Sequence, residues 1–127
     1  PAHVAPHVDT RLASQIDLVP TVLDLLDLPE RDRFIGRSAL RAYPDAGRAF
    51  IATYQKLGYL TPAHLVVLSP GRRIEAWRLD ARMEPVGTVR QPDADTGHAI
   101  AFYQEAARRA RDGGLRHVSG AAAPISP

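Results

Sequence analysis

Between Ser14 and Pro29 the sequence reads SQIDLVPTVLDLLDLP, and no other stretch restricts the fold so strongly. Ile16, Val19, Leu23 and Leu26 recur at spacings of three, four and three, which is one face of a helix. Leu18, Val22 and Leu25 widen that face, so the helix over 14–28 is predicted to be buried on most sides. Asp17 is predicted to cap its N-terminus, the carboxylate accepting backbone N–H groups two or three residues further on. Pro20 then lies in the first turn, where its missing N–H removes no intrahelical bond, and Pro29 ends the pattern. So short a helix is marginal alone. It must dock, and its apolar breadth asks for cover on two sides, more than one small sheet supplies.

The rest of the chain bounds what it can dock on. A length of 127 residues suits one domain. With 45% hydrophobic and 24% charged residues the chain has the means to form a core, which excludes wholesale disorder. No apolar run approaches the ~20 residues of a membrane helix, and the first residues do not read as a secretory signal. The absence of cysteine excludes disulfides, zinc ribbons and thiol catalysis. Sixteen basic residues stand against fourteen acidic ones, and Lys56 is the sole lysine. An arginine- and alanine-rich usage with 11 prolines is that of a high-GC bacterial gene. A nucleic-acid footprint would need cations gathered on one face, so no nucleic-acid partner is expected.

No repeat organises the chain. Residues 1–12 read as an extended lead-in and residues 113–127 as a flexible tail. Gly36 marks a turn within the polar connection that follows the helix. From Ala49 to Val89 the pattern favours strands: AFIATYQ, HLVVLS, RIEAWRLD and VGTVR. In RIEAWRLD, Ile74, Ala76 and Trp77 stand against Arg73, Glu75 and Arg78. Ser69-Pro70-Gly71-Arg72 is a turn with proline preset at its second position and glycine free to take positive φ, so residues 64–80 are predicted to form a hairpin. A second helix is predicted over 97–111, capped by Thr96, with Asp93 and Asp95 upstream of its positive end. Ile100, Tyr103, Ala107 and Ala110 share its inward face, broadened by Phe102 and Ala106. Arg108, Arg109 and Arg111 suit its C-terminal turn, and Gly113-Gly114 stops it.

Few residues offer chemistry. His3 and His7, with Asp9 nearby, have the spacing of a metal pair, but prolines 1 and 6 argue against a helix there and no further ligand follows. His64, His98 and His117 stand singly and read as solvated or locally bonded. Asp17, Asp24 and Asp27 could suggest an acidic patch, yet Asp17 has a sufficient task as a cap. Ser14, Thr21 and Ser38 have no histidine partner at an informative spacing. Arg37-Ser38 after Gly36 could meet an anion, although a solvated loop arginine is the plainer reading. Trp77 reads as core. There is no phosphate-binding loop and no dinucleotide fingerprint. No catalytic, cofactor-binding or metal-ligating residue is therefore assigned to this chain.

SQIDLVPTVLDLLDLP followed by IGRSAL resembles the C-terminal part of the sulfatase branch of the alkaline phosphatase superfamily. Gln15, Asp17, Pro20, Thr21, Leu23, Leu25, Leu26, Gly36, Ser38 and Leu40 fit its pattern, Asp17 and Thr21 as structural residues. Asp27 stands where that family has a helix-ending glycine, so the turn there is expected to close differently. AFIATYQKLGYL, LVVLSPGRRIEAWRLD and AIAFYQEAARRA look like the tail of the lipoteichoic acid synthase-like, phosphoglycerol transferase-like subgroup. The resemblance spans about residues 9 to 112.

The resemblance implies an α+β fold: a small antiparallel sheet flanked by a C-terminal helix, plus an N-terminal buried helix, the C-terminal portion of an alkaline phosphatase-like α/β fold. Residues 1–127 would form one C-terminal subdomain of a larger membrane-anchored enzyme acting on sulfo- or phospho-esters at a periplasmic or extracytoplasmic face. That parent would use a divalent metal (Mn, Mg, Zn or Ca). Its nucleophile and metal ligands would lie upstream. The expected partner is the missing N-terminal catalytic part, with self-association through the apolar helix as a further expectation. The alternative is an autonomous module that binds a partner protein through the helix over 14–28.

Overall fold

The turn at Pro70-Gly71-Arg72 returns the chain upon itself as its residues dictate. Gly71 takes φ 75° and Arg72 follows at φ 59°, joining strands β3 (His64–Ser69) and β4 (Arg73–Leu79) as an antiparallel pair. The hairpin predicted over 64–80 is thus present. The computed structural model describes residue 5 and residues 8–29, 34–90 and 93–112. His3, His7, His117, Gly113-Gly114 and the tail over 113–127 lie outside the described residues.

Around this hairpin stands one five-stranded antiparallel sheet in the order β1-β2-β3-β4-β5, with β1 Ala49–Thr53, β2 Lys56–Leu60 and β5 Pro85–Thr88. AFIATYQ is not one strand. It ends at Thr53, and Tyr54-Gln55 turns tightly, with Gln55 at φ 64°, so that Thr53 pairs Lys56. A two-residue hairpin turn favours positive φ, usually signalled by Asn-Gly or Asp-Gly. Here glutamine takes that conformation, so the sequence carries no such signal.

Phe50, Tyr59, Val66 and Ala76 stand abreast across β1 to β4. Tyr59, Val66 and Ala76 are buried with Ala99 of helix α2 (Asp93–Arg111), and Phe50, Leu68, Ile74 and Val89 close around them. Phe102 stacks on Phe50 with ring centres 3.5 Å apart. The Tyr103 hydroxyl donates to Gly58 O at 2.9 Å. Burial pushes the Tyr59 and Tyr103 phenols above their usual pKa.

Three expectations for this layer are corrected. Helix α2 starts at Asp93, which places Thr96 inside it, not at its cap; Thr96 Oγ1 is buried without a hydrogen-bond partner. The inward face runs through Thr96, Ala99, Phe102, Tyr103 and Ala106, while Ala107 and Ala110 are exposed. Trp77 alternates with Ala76 along β4 and so stands on the sheet face away from α2, half-buried.

The first helix consists of a 3₁₀ turn, Gln15–Asp17, leading into α1, Leu18–Leu25. Its pattern predicts burial on most sides. Within this chain Pro20 is the buried residue of α1, and Leu18 and Leu26 are each 60% exposed. Ile16, Val19, Val22, Leu25 and Leu28 are exposed with them. The apolar breadth of the sequence states a demand for burial that these residues do not meet among themselves. Its C-terminus closes as a Schellman turn: Leu28 N–H donates to Leu23 O at 2.9 Å and Asp27 N–H to Asp24 O at 3.2 Å. Asp27 itself takes φ 54°. The turn therefore closes as glycine would close it, because aspartate tolerates the left-handed region better than most side chains.

Candidate functional site

The first helix meets the connection after it through close backbone approach. A Cβ at Gly36 would stand 2.0 Å from Ile16 O, so only glycine lets the two segments touch. This contact brings the carboxylate of Asp17, 4% exposed, beneath the loop. Arg37 N–H donates to its Oδ1 at 2.8 Å and Ser14 N–H to its Oδ2 at 2.9 Å. Arg48 adds its guanidinium, Nη1 to Oδ2 at 3.2 Å and Nη2 to Oδ1 at 3.3 Å. Asp17 makes no side-chain bond to the N–H groups ahead of it in α1. It is not the cap expected. It reaches back to Ser14 and across to two distant segments.

The other motif residues complete the same knot. Thr21 Oγ1 donates to Asp17 O at 2.6 Å and accepts Ala39 N–H at 2.9 Å. Ser38 is fully buried and its Oγ accepts Leu40 N–H at 3.2 Å. Ser14 Oγ accepts Phe50 N–H, which ties the helix entrance to strand β1. Leu12 forms a parallel bridge with Gly47, so the lead-in is held at this end.

A ring of ion pairs surrounds the knot. Arg37 donates to Asp45 at 2.6 Å and lies 4.4 Å over the Tyr43 ring, which leaves it no solvated anion-binding role. Its guanidinium, with help from Gly47 N–H, lowers the Asp45 carboxyl to about 2. Arg41 pairs with Asp24 at 2.9 Å and, with the Ser38 hydroxyl, lowers its pKa. Arg11 pairs with Asp9 and donates to Ala39 O at 2.7 Å. Asp17, Asp24 and Asp27 thus have three separate tasks and form no acidic patch.

Beside the knot is a cavity of ≈ 30 Å³ lined by residues including Asp17, Arg37, Ser38 and Tyr43. That holds about one water molecule, not a substrate. Nor does the donor set fit a divalent metal of the kind the resemblance implies. Both Asp17 oxygens already face N–H donors, and among the described residues no three His, Asp or Glu side chains converge. The knot therefore offers a divalent metal no set of ligands.

At the far end of the sheet His64 Nδ1 lies 2.7 Å from Asp95 Oδ2, and Thr61 Oγ1 lies 3.3 Å from the same oxygen. His64 is thus bonded, but across 31 residues of chain. His98 meets the Tyr59 ring edge-on at 6.4 Å. The residue that sequence reasoning missed is Arg48, whose partner is 31 positions away and outside any local pattern.

No protein-family model and no curated protein matches this sequence. Among solved structures, a protein in the alkaline phosphatase superfamily from Vibrio parahaemolyticus is similar over 89% of this chain, with a TM-score of 0.79 and 26% sequence identity. The match takes in 28% of that chain, so the present sequence spans little more than a quarter of its length. The α+β arrangement of helix, five-stranded sheet and helix is therefore similar to part of a longer alkaline phosphatase superfamily protein.

Proposed function

We propose that this chain is the C-terminal, non-catalytic portion of a sulfatase-like, phosphoglycerol transferase-like enzyme, and that it completes the fold of that enzyme. The observation that carries this reading is the likeness over 89% of this chain to 28% of an alkaline phosphatase superfamily protein. Two features support it. The motif residues Asp17, Thr21, Gly36 and Ser38 are used up in bonds and contacts to one another and to the loop after α1. Helix α1 carries an apolar face that lacks cover. The lipoteichoic acid synthase-like subgroup is favoured by AIAFYQEAARRA, whose Phe102 and Tyr103 seat α2 on β1 and β2.

In this proposal the rest of the protein would supply the nucleophile and the ligands of a divalent metal, whose chemistry would be to activate a hydroxyl and polarise the sulfo- or phospho-ester. The warrant for that chemistry, and for an extracytoplasmic location, is analogy within the superfamily. A partner-binding module is the rival reading, favoured by the same α1 face. The sequence encoded upstream of Pro1 separates them: the proposal expects a nucleophile motif and an Asp-His-Gly there. The isolated chain should not turn over aryl sulfate or aryl phosphate with Mn²⁺, Mg²⁺ or Zn²⁺. Turnover that survives repurification and vanishes in a point mutant of this chain would overturn the non-catalytic reading.

A further inference from the structure

The sheet face away from α2 carries a groove of ≈ 310 Å³, whose lining includes Ile51, Gly58, Leu65, Val67, Trp77 and Pro85. That volume is at the lower end of the range for small-molecule sites, about 300–1,000 Å³. Its floor is opened by Gly58, where a Cβ would stand 3.3 Å from Ile51 Cβ and 3.7 Å from Leu65 Cδ1. Lys56 and Thr53 line one end. The register sets Thr53 beside Lys56 and Ser69 beside Arg73, so the tips of both hairpins meet at that end. There Lys56, Arg72 and Arg73 are all exposed, and so is Tyr54, at 90%.

These cations differ from those around Asp17. Arg11, Arg37, Arg41 and Arg48 are each paired with a carboxylate, and on α2 so are Arg108 and Arg109. Among the described residues Lys56, Arg72 and Arg73 have no such partner, nor have Arg78, Arg82, Arg90 and Arg111; what sets the first three apart is their place together at the groove's end. Ser69 Oγ, on the same row, is buried without a hydrogen-bond partner. One end of an apolar groove thus presents unpaired positive charge.

We propose that this groove binds an anionic amphiphile, its single apolar chain along Ile51, Val67, Leu65 and Trp77 and its anionic head at Lys56, Arg72 and Arg73. Glu75 also lines the groove. It lies two pairs inward from Arg73, with Val67 opposite it, so an anionic head would be repelled from the floor and held at the mouth. Trp77 is the only tryptophan of the chain, so its emission reports on this sheet face and not on α1.

The test titrates the chain with sodium dodecanoate below its micelle concentration and follows Trp77 fluorescence. A saturable blue shift is expected. Lys56→Glu with Arg73→Glu should weaken it at least tenfold, and Lys56→Gln with Arg73→Gln should weaken it if the charge-reversed variant does not fold. Dodecyltrimethylammonium should bind at least tenfold more weakly than dodecanoate. Equal affinity for the two amphiphiles, or no response to dodecanoate, overturns the proposal. So does a single-stranded oligonucleotide that alters Trp77 emission where dodecanoate does not, which would assign the cations to nucleic acid. Sedimentation with phosphatidylglycerol vesicles but not phosphatidylcholine vesicles, with no response to monomeric dodecanoate, would assign them to a membrane surface and overturn the groove.

Discussion

Arg37 N–H meets Asp17 Oδ1 at 2.8 Å across twenty residues of chain, a tertiary bond that the carboxylate makes besides its local capping-box bond from Ser14 N–H. With Arg48 bound to the same buried carboxylate, removal of Asp17 leaves a largely buried guanidinium and two N–H donors unmet. Breaking such a pair from one side costs about 3–5 kcal/mol. Asp17→Ala should lose that much in denaturant unfolding. Asp17→Asn should lose more than half of it, because its amide nitrogen would face donors. A cap would tolerate asparagine well, so an Asp17→Asn variant close to wild type would contradict the knot.

Asp27 at φ 54° holds the position glycine fills in most Schellman turns. Asp27→Gly should raise stability by up to about 1 kcal/mol by relieving the left-handed strain. Asp27→Val should lower it, since a branched side chain tolerates that region poorly. Thermal melts of the two variants check the order.

Gly36 should accept no side chain. A Cβ 2.0 Å from Ile16 O meets backbone, which cannot swing aside as a side-chain tip would. Gly36→Ala should cost about 3 kcal/mol, at the upper end for overpacking. Gly87, with open space around its Cβ position, should take alanine with little loss. Parallel unfolding curves decide.

What the sequence showed of this fold follows from how far apart the deciding residues are. The β3–β4 hairpin was legible because Pro70 and Gly71 act within four residues. The end of α2 at Arg111 is legible, but its start is not, because Thr96 satisfies the local rule for a cap while the helix begins at Asp93. Trp77 reads as core from its apolarity, whereas alternation along β4 sets it half-buried on the sheet face away from α2. The knot was half legible. Its motif residues stand in one recognisable run, but the Arg48–Asp17 and Asp17–Arg37 bonds are tertiary and leave no spacing to read.

Acid should weaken the ion pairs around the chain in a defined window. The Arg37 guanidinium lowers Asp45 from 3.8 to about 2, and Arg108 with Arg109 lowers Glu105 from 4.5 to about 2. A carboxylate with a depressed folded pKa contributes stability above its unfolded pKa and loses it as pH falls through the folded one. Stability should therefore hold above about pH 4.5 and decline toward pH 2. Asp45→Asn should make that decline shallower. Both carboxylates are substantially exposed, so salt should reduce the effect.

On the proposed function, α1 offers a face that the rest of a longer protein covers. Leu18 and Leu26, each 60% exposed, are better probes of it than the half-buried Leu23. An exposed apolar patch beyond a few hundred Å² marks an interface or an aggregation liability. The direct measurement is sedimentation of the chain over a range of concentrations, alone and with the polypeptide encoded upstream of Pro1. Self-association alone, a complex with the upstream polypeptide, and loss of both in Leu18→Glu with Leu26→Glu are expected. A chain that stays monomeric, binds no hydrophobic dye and gains no stability from the upstream polypeptide would contradict it.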